Sequence, residues 1–180
     1  MKKSYLCITL ILSNLVCCFA QFDTIAGPYL ITGALTVAED KLYLLASDNS
    51  AIEVLEIDVS TPDIESRSIF TNPFSTPATG LFVSKEDLYI ACAGETVAQG
   101  LIRTVQNINS NDPIDEIYLE LPWLPTNVAI RDSVMYISRL FFSGGGLYTY
   151  DMTDPGAQVE LLLAINTNSL TDFEIVENHL

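Results

Sequence analysis

A chain of 180 residues, 49% of them hydrophobic, is long enough to bury a sizeable core, and 23 acidic against 8 basic residues give it a formal charge of −15 at pH 7. So acidic a balance argues against nucleic acid and anionic membrane surfaces as partners, since both repel it; solubility, cation binding or a basic partner suit it better. With a single histidine, a zinc site is poorly supplied with ligands.

In chain order, the first segment is MKKSYLCITLILSNLVCCFA: Lys2 and Lys3, an apolar run from Tyr5 to Phe19, then small residues before Gln21. This is the layout of a secretory signal peptide over residues 1–20, cut after Ala20. Its roughly 15 apolar residues are short for a bilayer span. A lipoprotein signal at Cys17 or Cys18 is the alternative, with poor residues before either cysteine. Cleavage removes three of the four cysteines and both N-terminal lysines, leaving Cys92 and 6 basic against 23 acidic residues, a net of −17. A protein exported without a disulfide framework must stand on its core alone. Cys92, in the apolar small-residue strand LYIACAG, is expected as a buried hydrophobe and not a nucleophile. The absence of any N-x-S/T sequon, with the Lys-Lys start, points to a bacterial exported protein, secreted or held in the periplasm or at the cell surface.

Residues 21–180 repeat. Leu42-Tyr43, Leu88-Tyr89 and Met135-Tyr136 are matching apolar-Tyr pairs, and Leu180 stands where a fourth would begin, at spacings of 46, 47 and 45 residues. A first strand starts at Leu35, Leu81, Val128 and Phe173, and Val37, Val83, Ile130 and Ile175 follow on the same strand face. Charged turns separate each first strand from its anchor: Glu39-Asp40, Lys85-Glu86-Asp87, Arg131-Asp132 and Glu177-Asn178. A third strand runs into an Asp/Asn turn and a Pro in AIEVLEIDVSTP, GLIRTVQNINSNDP and GGLYTYDMTDP, and a fourth follows in IESRSIF, IDEIYLEL and QVELLLAI. Period-2 alternation with frequent turns and no helical periodicity predicts an all-β protein. Four short strands in about 46 residues is the content of one propeller blade. Blades are therefore expected over residues 31–76, 77–123 and 124–169, with the first strand of a fourth over 170–180. Stacking buries sheet faces that a lone blade would expose, and the anchor tyrosines should pack between blades with their hydroxyls at a polar rim. Three blades and a strand do not close a ring, so the expectation is the N-terminal part of a six- or seven-bladed propeller, closed by further chain or by another chain. Residues 21–30 are the candidate closing outer strand.

The columns best seen in VSKEDLYIACAG resemble the NHL-like, YVTN-type and gluconolactonase-like propeller families, over nearly all of residues 31–180. The resemblance implies the architecture. It does not choose among enzymes, receptors and scaffolds, and none of the metal-binding carboxylates or Asn of the families' enzymes can be matched to a position here.

Ligands bind propellers at the face formed by loops entering each innermost strand and loops between second and third strands. Thr79-Gly80, Thr126-Asn127 and Thr171-Asp172 enter successive blades, and Gly33-Ala34 fills that slot in the first. The threonines read first as turn hydroxyls satisfying backbone groups. The loops ASDNSA, GETVAQG and RLFFSGGG vary inside a regular repeat, as binding loops do. Candidate ligand residues are Asp48, Asn49, Glu95, Asn127, Arg139, Phe141, Phe142 and Asp172, with Arg139 expected to pair with Glu95 or an anionic ligand. NINSNDPIDE is spaced somewhat like a calcium loop without its Gly and terminal Glu register, and reads better as a polar turn. No nucleophile elbow, HExxH, P-loop or His-based triad occurs. The expected function is thus an exported binding or interaction module for a protein or glycan, with no catalytic residues and no cofactor. One alternative is a metal-dependent lactonase-like hydrolase, with calcium or another divalent ion at Asp172 and Asn127. The other is a non-functional truncated propeller.

Overall fold

In the computed structural model, residues 30–47, 51–60, 66–73, 78–94, 96, 99–139, 145–165, 173 and 175 are described. They form twelve strands and no helix: β1 Leu30–Ala38, β2 Lys41–Ser47, β3 Ala51–Asp58, β4 Ser66–Pro73, β5 Ala78–Ser84, β6 Asp87–Ala93, β7 Gly100–Gln106, β8 Ile114–Leu121, β9 Pro125–Arg131, β10 Val134–Arg139, β11 Gly145–Asp151 and β12 Glu160–Ile165. Consecutive strands pair antiparallel into three four-stranded sheets, β1-β2-β3-β4, β5-β6-β7-β8 and β9-β10-β11-β12. These are blades 1, 2 and 3, and the all-β propeller architecture expected from the repeat is the one observed. The signal-peptide segment 1–20 and all but Leu30 of 21–30 lie outside the described residues, as does most of 170–180. Phe173 and Ile175 are described there, and neither is part of a strand.

The hairpins between first and second strands turn on residues with left-handed φ: Glu39 at 55°, Lys85 at 58°, and Asp132 and Ser133 at 50° and 65°. Tight hairpin turns need positive φ to match the strand twist, and here charged or polar residues supply it instead of glycine. Third and fourth strands slip register at one column in every blade, after Val54, Ile102 and Leu147. A bulge at a fixed place gives each blade the same added twist. The turns DVS and DMT are built alike. Asp58 Oδ1 accepts from Ser60 N (2.8 Å) and Oγ (2.5 Å), and Asp151 Oδ1 from Thr153 N (2.8 Å) and Oγ1 (2.7 Å). These donors hold both carboxyls below the usual range.

The core lies between blades. On β6 the alternation of side chains divides one strand between two interfaces. Leu88, Ile90 and Cys92 pack with Tyr43, Leu45 and Val54 of blade 1, whereas Tyr89 and Ala91 pack with Val128, Met135 and Ile137 of blade 3. With both faces buried, β6 reads as a continuous apolar run. Cys92 is fully buried in this core, as a small hydrophobe, and burial pushes its thiol up to about 12. We expect a thiol reagent at pH 8 to modify Cys92 only under unfolding conditions, because both the thiolate and the access are missing in the native state. Stoichiometric labelling of native protein within minutes would contradict this packing.

Backbones approach closely where blades 2 and 3 meet. A Cβ on Gly80 would stand 2.7 Å from Asn127 Cα and 2.9 Å from Thr126 O, and one on Gly100 only 2.2 Å from both Pro125 Cδ and Trp123 O. Thr79 Oγ1 crosses the same junction to donate to Pro125 O at 2.9 Å.

Candidate functional site

The innermost strands β1, β5 and β9 line a cavity of about 500 Å³. Leu35, Val37, Leu81, Val128 and Ile130 reach it, and so do Phe173 and Ile175, which continue the same two sequence columns. Leu35 is 38% and Val37 60% exposed, unusual on a strand whose neighbour β2 is buried almost throughout. Most of its described lining side chains are apolar, but polar and apolar atoms share the exposed lining almost evenly, with Thr36, Asn127 and Arg131 among the polar side chains. Such a surface can take apolar side chains and orient them by a few polar contacts.

Of the residues singled out in the sequence, Asn127 lies in this lining. Its Oδ1 accepts from the backbone N of Val128 at 2.8 Å, so one face of the amide shapes the strand entry. Arg139 is half-buried at the end of β10; its Nη1 donates to the Tyr148 hydroxyl (3.2 Å) and its guanidinium lies 5.8 Å from the Trp123 ring centroid. It thereby ties the blade 2 exit to blade 3. Asp48, Asn49, Glu95, Phe141, Phe142 and Asp172 lie outside the described residues. Two of the entry threonines act on the protein itself: Thr79 donates toward Ala91 O (3.2 Å) and Pro125 O, and the Thr126 and Ser138 hydroxyls are 2.7 Å apart; Thr171 lies outside the described residues.

The NINSNDP segment is the turn between β7 and β8, entered through Asn107 at a φ of 55°. Blade 1 occupies three of its acceptors. Arg67 Nη2 donates to Ile108 O (2.5 Å), Arg67 Nη1 to Ser110 O (3.0 Å) and Lys41 Nζ to Asn109 Oδ1 (2.7 Å). Both cations also meet Glu56: Arg67 Nη2 lies 3.1 Å from each carboxylate oxygen, and Lys41 Nζ 3.2 Å from Oε1. Tyr43 completes the group through a hydrogen bond to Glu56, and burial, then that carboxylate, push its hydroxyl well above the usual phenol range. Among the described residues no three His, Cys, Asp or Glu side chains converge to hold a metal ion.

No family model matches the chain, and no curated protein does. Solved structures do match. The apo form of prolyl oligopeptidase B from Galerina marginata aligns with a TM-score of 0.51 and 17% identity over 81% of this chain. The same enzyme bound to a 25mer macrocyclization substrate aligns with a TM-score of 0.50 and 16% identity over 79%. This chain spans only about a fifth of their length, 21% and 19%. At this identity the likeness concerns the fold alone, and prolyl oligopeptidase B contains a β-propeller domain. Stacked four-stranded sheets, a fixed repeat and that likeness together make this chain an all-β protein of propeller blades.

Proposed function

We propose that the chain is an exported binding module that takes a partner at the cavity lined by its innermost strands. The carrying observation is the exposure of Leu35 and Val37 on that lining, beside Phe173 and Ile175. Apolar side chains left in solvent on an inner strand are explained by something that covers them, and their character favours apolar side chains of a protein partner over a glycan. The Lys2-to-Ala20 segment supports export, and the charge of the chain supports a partner that is not nucleic acid.

The test is selection from a random peptide library on the full chain, followed by titration of the selected peptides. Peptides rich in apolar side chains should be enriched and should lose about tenfold in affinity for Val37→Asp, which sets an unpaired carboxylate against them. Val37 is mostly exposed, so this variant should melt like the parent. No enrichment above background, or equal affinity for a folded Val37→Asp, would sink the reading.

A further inference from the structure

The two clefts between blades use the same columns for opposite purposes. In the first, Tyr43 stands across from Glu56, and Glu56 across from Arg67, with Lys41 two residues before the tyrosine. The two cations fill that cleft and bind the β7–β8 turn. In the second, Tyr89 stands across from Thr104 and Thr104 across from Glu116, with Asp87 two residues before the tyrosine. Each column that holds a cation in the first cleft thus holds an acid in the second, and the Glu56 column holds a hydroxyl. Beside Asp87, the counterpart of Lys41, lies a cavity of about 600 Å³, lined also by Tyr89, Thr104, Tyr118 and Asp132 among others.

One polar atom there is unprovided for. Thr104 is 2% exposed, lines the cavity, and its Oγ1 has no hydrogen-bond partner. Native structures seldom leave such a group unpaired, and this one belongs to a side chain that lines the cavity. Its surroundings define that partner. Asp87 accepts from the Asn107 N–H (3.2 Å) through Oδ1, and Asp132, 3.5 Å from Arg131 Nε, is nearly fully exposed. Lys85, at an exposed turn, is the one cation among the described lining residues. Tyr89 and Tyr118 meet edge to face at 5.7 Å, and Tyr118 and Tyr150 at 6.3 Å, giving the cleft an aromatic wall on which a planar cation can lie. Gln106 Nε2 donates to Glu116, which holds that carboxylate in place.

We infer that the cleft between blades 2 and 3 binds a guanidinium or ammonium side chain of a basic partner polypeptide. The partner's cation sits where Lys41 and Arg67 sit in the neighbouring cleft, between Asp87, the Thr104 hydroxyl and the tyrosines. The acidity of the whole chain steers such a partner in.

Calorimetric titration of the full chain with a capped Ala-Arg-Ala tripeptide tests this, against capped Ala-Gln-Ala and maltose. The Arg peptide should bind at least tenfold more tightly than either and weaken as salt rises. Asp87→Asn should reduce its affinity about tenfold and Thr104→Val several-fold, the losses expected for charged and neutral hydrogen bonds. Thr104→Val removes a hydroxyl the fold does not use, so its melting temperature should hold or rise, and it decides the matter if Asp87→Asn fails to fold. Equal binding of the Gln peptide, tighter binding of maltose, no binding of the Arg peptide, or full affinity in Thr104→Val would each overturn the inference.

Discussion

Gly100→Ala should lower the melting temperature by roughly 6–12 °C. The added Cβ would sit 2.2 Å from Pro125 Cδ and 2.2 Å from Trp123 O, contacts that neither a proline ring nor a backbone carbonyl can relieve by rotating. Overpacking of this kind costs about 3 kcal/mol at the upper end of its usual range, and a domain of this size loses about 2–4 °C per kcal/mol. Gly100 opens β7 and its obstacles belong to the β8–β9 crossing, so the expense falls on the junction of blades 2 and 3. Gly156→Ala is the control: its Cβ would meet only Asp154 Oδ1, at 3.4 Å, and its melting temperature should change by no more than about 2 °C, within the usual ±0.5 kcal/mol of a surface change. Thermal unfolding followed by circular dichroism compares the two, and equal melting temperatures would mean that blades 2 and 3 are not held as described.

Glu56→Ala should cost about 2 kcal/mol. The carboxylate receives both Arg67 contacts, the Lys41 ammonium and the Tyr43 hydroxyl, and its side chain is only 10% exposed. Breaking a fully buried pair by removing one partner costs about 3–5 kcal/mol. Here Arg67 is 40% and Lys41 28% exposed, so water recovers part of the loss and the lower figure applies. Glu56→Gln keeps an acceptor and should lose about half as much. Adding Arg67→Met to Glu56→Ala should cost less than the separate losses combined, because the second change removes the cation the first left unpaired. Urea unfolding measures all four, and strict additivity would show that the cluster does not act as a unit.

The strands were legible because each level of the sequence agreed. Alternation, charged turns and the Tyr anchor recur together, and a repeat of about 46 residues with four strands leaves few architectures. The candidate site was harder to see. The columns Leu35–Phe173 and Val37–Ile175 were visible as repeats, but their exposure depends on packing that alternation does not encode. The second cleft carries its signal in one column: beside each anchor tyrosine the facing residue changes from Glu56 to Thr104 to Thr149. Reading it requires the register between second and third strands, which the differing lengths of the loops joining them obscure. Arg139 meets the Tyr148 hydroxyl and the Trp123 ring among its contacts, and Glu95, its expected partner, lies outside the described residues.

The divided loyalty of β6, with one row of side chains given to the preceding blade and one to the following, also sets a timetable. Contacts inside a blade are local in sequence, and those between blades join only neighbours, so assembly proceeds as a relay down the chain. Blade 2 can hydrogen-bond its strands as soon as they are made, yet Tyr89 and Ala91 stay wet until β9 and β10 arrive. Each blade is therefore chaperoned by its successor, and the vulnerable moment in the life of this protein is the interval between one blade and the next.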